Sequence, residues 1–415
     1  MNANDRRITG FTMAGHVMVH TYELSIPILM TVWLVDFSVT SATLGTVVAV
    51  GYALFGIGAL PGGILVDRFG SKTLITCCLL GMGVSFLLLS AVPGVAGITL
   101  ALGIWGITAS VYHPAGLALI SNGVEQRGAA FAYHGMAGNI GIAGGPFLTA
   151  VLLITLDWRT AVVILAVPSL LTAVAGLSIS FDERAAVDAV ADGGDSSVSI
   201  TSVREFVTAS KRLFTVGFLT VLVLFNGLYY RGMLTFLPEL LSGFLDTLLD
   251  TAPENGIGPI PDGPVASEFD LSQYLYAGLL AVGIVGQYIG GLLTDRIRSE
   301  YGLAGMLSLL VVIALLFVPA SNRLSMLVLV SVALGFTLFA MQPLSQATIA
   351  KYSPPEHRGL SFGYTYFAIF GVGALGASLV GTAVTYGSVS TVFGLLASFA
   401  GIALALAGIL IVYDS

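Results

Sequence analysis

The chain has 415 residues, of which 56% are hydrophobic and only 9% are charged, and its mean hydropathy is +0.94. A soluble domain carries about 25% charged residues, so a soluble fold of this length would lack the polar surface to cover itself. With a net charge of −7, the chain is not expected to bind nucleic acid; the composition indicates a protein that crosses a lipid bilayer many times.

Apolar runs near the ~20 residues that span the hydrocarbon of a bilayer predict twelve transmembrane helices. In the N-terminal half, we place these spans at about 9–34, 41–66, 73–91, 96–121, 128–154 and 160–180. In the C-terminal half, they fall at about 213–241, 272–295, 302–319, 324–350, 360–384 and 388–412. The expected organisation is an N-terminal six-helix bundle at 1–181, a cytoplasmic linker at 182–212 and a C-terminal six-helix bundle at 213–415.

The basic residues predict the orientation, because Lys and Arg are enriched in cytoplasmic segments. Of the 16 basic residues, only Arg159 and Arg323 fall in predicted outer loops, and Arg231 falls inside a span. Both termini are therefore predicted to be cytoplasmic, in a multi-pass protein of the plasma membrane. The N-terminus shows no removable signal peptide.

Span 1 carries the most informative polar residues of the first half. His16, His20 and Glu23 are spaced i, i+4 and i+7, which places them on one narrow stripe of a helix. A carboxylate at mid-bilayer costs ~3 kcal/mol on insertion scales, so Glu23 should face the bundle interior or water. The stripe is either a hydrogen-bond network that packs helices or a proton or substrate site, since histidine titrates near neutral pH.

A motif after span 2 is repeated after span 8. The first copy runs from Gly62 to Lys72 and the second from Gly290 to Arg298, an offset of 228 residues. Two further pairs of similar dipeptides are separated by nearly the same offset: His113-Pro114 corresponds to Gln342-Pro343, and Arg127-Gly128 corresponds to Arg358-Gly359. The chain is therefore predicted to be a duplicated unit of roughly half its length.

This motif resembles the loop between spans 2 and 3 of the major facilitator superfamily, Gly-x-Leu-x-Asp-Arg-x-Gly-Arg-Lys. Six positions match in the first copy, with Ser71 in place of a base, and the second copy lacks the later glycine. The resemblance implies an all-α fold of two pseudo-symmetric six-helix bundles that works as a monomer by alternating access. It implies gating roles for Gly63, Asp67, Arg68, Lys72, Arg127, Gly291, Asp295, Arg296 and Arg358.

Spans 4 and 5 add Tyr112-His113-Pro114, His134 and a glycine-rich stretch ending in Gly145-Pro146. With the span 1 histidine, this combination resembles the fosmidomycin-resistance branch of the superfamily, which implies efflux. That branch has a carboxylate four residues after the first span 1 histidine, where this chain has His20 and then Glu23. Close helix packing explains the glycines equally well.

Span 7 holds Tyr230 and Arg231, and span 10 holds Gln342 at the repeat position of His113. Arg231 either pairs with a buried acid such as Glu23 or binds an anionic group of the substrate. In the superfamily, spans 1, 4, 7 and 10 line the central cavity, which implies a polar central site. The candidate set for proton coupling or substrate binding is His16, His20, Glu23, His113, His134, Tyr230, Arg231 and Gln342.

Three classes of function compete. The first is a secondary transporter of a small organic solute, either proton-coupled efflux of a drug-like or anionic metabolite or uptake by symport of an organic anion with a proton or another cation. A passive channel is disfavoured by gating motifs in both halves. An enzyme or retinal photoreceptor is also disfavoured, because no predicted span interior contains a lysine and no catalytic constellation is found. We predict no cofactor and no metal, since the histidines are scattered along the chain.

Overall fold

The computed structural model describes residues 1–188, 214–250, 271–294, 296–352 and 364–413. Within them, twelve helices are long and apolar enough to cross a membrane, which confirms the predicted number and the all-α class. The predicted linker lies mostly outside the described residues.

The helices follow one another as an up-and-down series. In the first half they are α1 (Ala3–Asp36), α2 (Ser41–Phe69), α3 (Ser71–Ser90), α4 (segments Val95–Ala109 and Tyr112–Gly123), α5 (Arg127–Leu153) and α6 (Trp158–Ser178). In the second half they are α7 (Phe214–Asp250), α8 (Leu271–Thr294), α9 (Ser299–Ala320), α10 (Leu324–Tyr352), α11 (π-helical Phe367–Val372, then Leu375–Tyr386) and α12 (Val389–Tyr413). We call the side where α1 ends and α2 begins the far face, since the N-terminus lies at the other end of α1.

Glycines bring matching helix pairs into backbone contact in both halves. A side chain at Gly51 or Gly106 would strike the facing backbone of α4 or α2, and Gly286 and Gly335 have the same relation between α8 and α10. Small residues allow this close approach in the absence of a hydrophobic driving force between helices. The duplication in the sequence therefore corresponds to the same glycine-lined contact in both halves.

Two irregular helices shape the centre of the molecule. α4 breaks at Ser110 and Val111, because Pro114 has no N–H to donate to the carbonyl one turn earlier. α11 contains the π-helical turn Phe367–Val372, a feature that often marks functional sites. The break in α4 sets the direction of His113, and the π-helical turn brings Phe370 towards the centre.

α7 extends beyond its predicted end at 241 and ends at Asp250. The cause is apolar burial, since Leu241, Phe244 and Leu245 continue the buried face of the helix. The ring of Phe244 lies 6.1 Å from that of Phe393 on α12. The predicted outer loop 242–271 thus starts as helix, and its residues 251–270 lie outside the described part.

Candidate functional site

Glu23, His20 and His16 form one hydrogen-bonded chain along α1. Glu23 Oε2 lies 2.7 Å from His20 Nδ1, and His20 Nε2 lies 3.1 Å from His16 Nε2. His16 Nδ1 in turn donates to the backbone carbonyl of His134 on α5, at 2.7 Å. The stripe predicted from the sequence is therefore a continuous chain from a buried carboxylate to a neighbouring helix.

The geometry of this chain sets how many hydrogens it needs for all three links to be hydrogen bonds. The carbonyl of His134 can only accept, so His16 Nδ1 carries a hydrogen, and each of the other two links needs one hydrogen as well. An ionised Glu23 and two neutral imidazoles supply one hydrogen fewer than the three links require. Three complete links would therefore require one extra proton, with which Glu23, His20 and His16 are neutral as a set.

His134 and His113 join the same cluster from α5 and α4. The rings of His134 and His16 are stacked with centroids 3.9 Å apart, and His113 stands edge-on to His16 at 5.3 Å. His134 Nε2 donates to Tyr112 Oη at 3.3 Å, because the hydroxyl hydrogen of Tyr112 is donated to a carbonyl of α1. The histidines, which are scattered along the sequence, are thus gathered by helix packing, and four of them lie in one cluster.

Three of these histidines have the chemistry of metal ligands. Ring nitrogens of His16, His20 and His113 all lie within 4.8 Å of one another, and imidazole suits zinc and other transition metals. Such ions need their nitrogen ligands about 2.0–2.1 Å away, and both nitrogens of His16 are already hydrogen-bonded. The three histidines are therefore arranged for hydrogen bonding, and a metal ion that used His16 as a ligand would have to displace one of its hydrogen bonds.

Arg231 on α7 connects this cluster to the second bundle. Its guanidinium pairs with Glu23 Oε1, and the side chains of Arg231 and Glu23 are only 3% and 2% exposed. The guanidinium carbon lies 3.9 Å from the ring centre of Tyr52, 5.4 Å from that of Phe370 and 5.6 Å from that of Tyr230. A buried ion pair, whose guanidinium also makes cation–π contacts, thus joins the two halves at the centre.

The guanidinium of Arg231 does not use all of its donors. Arg231 Nε is buried and has no hydrogen-bond partner among the described residues. Both oxygens of Glu23 are already engaged, one by Arg231 and one by His20. Among the described residues no acceptor is found at Nε, so a ligand oxygen or a water molecule would suit this position.

The remaining predicted site residues differ in their placement. Tyr230 lies beside Arg231, as described, with its ring also edge-on to Phe339 on α10. Gln342 is half-buried on α10, and no hydrogen bond found between described residues joins it to the histidine cluster. Contacts between described residues join the other seven candidate residues in one network.

Those predicted gating residues that the structure describes lie at the face opposite the far face. Arg68 is exposed over the ring of Phe69, and Lys72 lies 5.8 Å from the ring centre of Phe181. Arg127 Nη2 donates to the carbonyl of Ala186 at 3.5 Å, and Arg296 is exposed. The side chain of Asp67, together with Asp295 and Arg358, lies outside the described part of the chain.

In each copy of the repeated motif, only one of the two adjacent glycines lies in a close helix contact. A side chain at Gly63 or Gly291 would meet open space, whereas one at Gly62 would meet Pro114 and one at Gly290 the backbone of α10. The close helix approach expected of this motif is therefore made by the first glycine of each pair in this conformation.

Sequence reasoning missed two carboxylates near these motifs. Glu183 Oε2 accepts the N–H groups of Ser71 and Lys72 at 2.7 and 3.2 Å and so caps the start of α3. In the second half, buried Glu300 pairs with Arg298 at 2.6 Å and Lys351 at 2.8 Å. The signal for Glu300 was its position in the first turn of a helix, next to Ser299, where carboxylates are favoured.

Comparisons with known proteins agree with this architecture. A bacterial homologue of the human lysosomal transporter Spinster, in an inward-facing conformation, matches with a TM-score of 0.73 at 14% identity, over 99% of this chain and 97% of that one. A mutant of the nucleoside transporter NupG matches with a TM-score of 0.74 at 14% identity, over 98% of this chain and 99% of that one. A D-xylose–proton symporter matches with a TM-score of 0.71 at 15% identity, over 98% of this chain and 97% of that one. At these identities the likeness shows the fold.

A sequence relative is the puromycin resistance protein pur8 of Streptomyces alboniger. It is 35% identical over 108 residues, which are 25% of this chain and 22% of that protein. The matched stretch thus spans about a fifth of the length of this curated relative.

The twelve-helix fold and its ionisable centre define a membrane protein of the secondary-transporter class. Residues 12–253 and 257–415 match the family model of the Major Facilitator Superfamily, and the chain belongs to this family. It is therefore a transporter rather than an enzyme, and its twelve apolar helices indicate a multi-pass membrane protein.

Proposed function

We propose that this protein is a proton-coupled exporter of a drug-like or anionic organic solute in the plasma membrane. The observation that carries the proposal is the chain from His16 through His20 to Glu23, which ends on Arg231 of the other bundle. A carboxylate that binds both a proton-bearing imidazole and a base of the opposite half links protonation to the relative position of the halves.

The coupling step follows from the charges at the centre. With its extra proton, the set of Glu23, His20 and His16 is neutral, and Arg231 leaves the centre at +1; without that proton the centre is neutral. Loss of the proton removes a hydrogen from one link, so either the Glu23–His20 or the His20–His16 contact must separate. Proton release thus loosens the polar network that holds α1 against α5 and α7.

Export is supported by the puromycin resistance relative and by the resemblance to the fosmidomycin-resistance branch. The relative confers resistance according to its name, and the branch resemblance rests on His16, His113 and the glycine-rich α5. The distribution of basic residues supports cytoplasmic positions for both termini, and in this proposal each chain works as a monomer.

A second candidate is uptake of an organic anion by symport with a proton or another cation. It is favoured by Arg231, whose Nε lacks a partner among the described residues and would suit a carboxylate or phosphate oxygen. If the anion takes the place of Glu23 on Arg231, then Glu23 is free to bind a proton, so both ligands bind to the same state.

The test is transport by the purified protein in proteoliposomes. A panel of aromatic acids and drug-like solutes is screened with a pH gradient imposed in either direction, while a trapped pH-sensitive dye reports proton movement. Export by antiport moves protons opposite to the solute, and symport moves them together. A solute that moves with no associated proton flux would contradict proton coupling.

A further inference from the structure

The far face holds a partly buried carboxyl that the central chain does not use. Glu239 lies on α7, about two helical turns beyond Arg231, and its Oε1 accepts a hydrogen bond from Ser41 Oγ at 2.7 Å. Its Oε2 is shielded from solvent and has no hydrogen-bond partner among the described residues. An acidic group with one satisfied and one orphaned oxygen is unusual in a folded protein.

This carboxyl lies in the contact between the two bundles. Ser41 is the first residue of α2, and the next N–H along the chain, that of Ala42, donates to Thr385 Oγ1 on α11 at 2.8 Å. Slightly deeper, Thr46 Oγ1 and Ser378 Oγ are 3.0 Å apart. Because these bonds tie α2 to α7 and α11, they must break whenever the central site opens to the far face.

Glycines make this contact tight. A side chain at Gly45 would strike the backbone of Ala377, and one at Gly381 would strike the carbonyl of Ser41 and the ring of Phe236. Phe236 itself is fully buried, one turn before Glu239. This close packing leaves Glu239 partly buried, with its Oε2 atom shielded from solvent.

The charged groups on neighbouring helices are occupied elsewhere. Asp36 at the end of α1 pairs with Arg159 at 3.2 Å, and Arg231 is paired with Glu23. On α7 itself, Asp246 lies two turns further and is exposed. Across the parts of the chain that the structure describes, Ser41 is the only polar group found bonded to the Glu239 carboxyl.

We propose that Glu239 is a second proton-binding site, which holds a proton while the far face is closed and releases it when that face opens. A shielded carboxylate without a cation costs more free energy than its neutral acid, whereas an open face returns the group to water. Proton binding and closure are then linked reciprocally. With one linked proton, the ratio of closed to open molecules changes by up to about tenfold per pH unit.

This site is independent of the cargo and of the central chain, and so goes beyond the proposed function. It makes the far face close more firmly in acid and open more readily in alkali, whatever solute is carried. Protons reach and leave Glu239 from the far side only, so they regulate the gate without being transported.

The test is a distance measurement on the full-length protein in lipid nanodiscs, without any solute. Spin labels are placed by Val35→Cys on α1 and Tyr386→Cys on α11, at far-face positions that are 79% and 78% exposed. Cys77 is exposed and is replaced by Ala in every variant. We expect the label distance to move from a short to a long population as the pH rises from about 5 to about 9.

Substitutions assign this response to one residue. Glu239→Gln mimics the protonated acid, so it should keep the short distance at every pH, and Glu239→Asp should retain the pH response because it keeps a carboxyl. Ser41→Ala removes the bonded hydroxyl but not the acid, so it should shift the population towards open and still respond to pH.

The proposal is overturned if the parent protein shows no pH response or if Glu239→Gln responds as the parent does. It is also overturned if the response disappears in Glu23→Gln instead, which would assign it to the central chain. Because no solute or gradient is used, failure of the transport proposal would leave these outcomes unchanged.

Discussion

Removing one charge of the central ion pair should damage the protein far more than removing both. Glu23→Gln leaves the guanidinium of Arg231 buried without its counter-charge, since Arg231 is 3% exposed. Breaking one partner of a buried pair typically costs about 3–5 kcal/mol, whereas replacing both is often close to neutral. The aromatic faces around Arg231 are present in the parent and in the variant, so they do not offset this loss, and we expect a cost of about 3–5 kcal/mol for Glu23→Gln.

The reverse single change should cost less. Arg231→Gln leaves Glu23 with its second partner, because His20 still donates to Oε2 and the chain still carries its extra proton. The order of stability should therefore be the parent, then the double variant Glu23→Gln/Arg231→Gln, then Arg231→Gln, and finally Glu23→Gln. The advantage of Arg231→Gln over Glu23→Gln should shrink at alkaline pH, where the chain loses its proton.

The assay is unfolding of the detergent-solubilised protein followed by tryptophan fluorescence, with Glu125→Gln as the matched control because Glu125 is exposed. The double variant should unfold at a higher midpoint than Glu23→Gln, by several degrees. If Glu23→Gln is as stable as Glu125→Gln, or if the double variant is the least stable of all, the ion pair does not hold the bundles together.

Three further changes test other parts of the structure. Gly138→Ala should abolish coupled transport in proteoliposomes, because its methyl group would strike the ring of His16. The control Gly144→Ala faces open space and should transport as the parent does. Equal activity of the two variants would contradict a role of the His16 cluster in transport. Hydrogen bonds from the side chain and then the backbone of Thr160 lower the pKa of Asp157, so its stabilising cap is present at neutral pH and is lost as the pH falls through that lowered value. Asp157→Ala should accordingly lower the unfolding midpoint at pH 7 but match the parent in strong acid; a deficit that persists there would refute the cap. Gly45→Val should hold the far face open in the spin-label measurement, because its side chain would strike the backbone of α11; an unchanged short distance would show that this contact is not tight.

The sequence predicted the parts of the structure that depend on local pattern. Twelve spans follow from apolar length, and the stripe of His16, His20 and Glu23 follows from helical spacing alone. For Arg231 the sequence left two alternatives, pairing with Glu23 or binding an anionic group of the substrate. The pairing could be predicted because an unpaired charge is costly in the bilayer. The structure realises that alternative and leaves one donor of the same guanidinium without a bond to any described residue.

The remainder depended on packing between distant segments. Tyr52 and Phe370 read as ordinary apolar residues of their spans, and their contact with Arg231 exists only because α2, α7 and α11 meet. His134 reaches His16 because Gly138 lets α5 approach α1, a relation that spacing cannot reveal. Nothing in the local sequence marks Glu239, whose partial burial arises from contacts of α7 with α2.

The central claim is that Glu23 couples protons to the solute, and uphill transport compared with exchange in proteoliposomes tests it most directly. With a solute that the parent carries, Glu23→Gln should still exchange labelled for unlabelled solute, because the bundles can rock without a proton. It should fail to accumulate that solute against its gradient when a pH gradient is imposed, whereas Glu125→Gln should do so normally. If Glu23→Gln accumulates the solute as well as the parent does, Glu23 is a structural partner of Arg231 and the coupling site lies elsewhere.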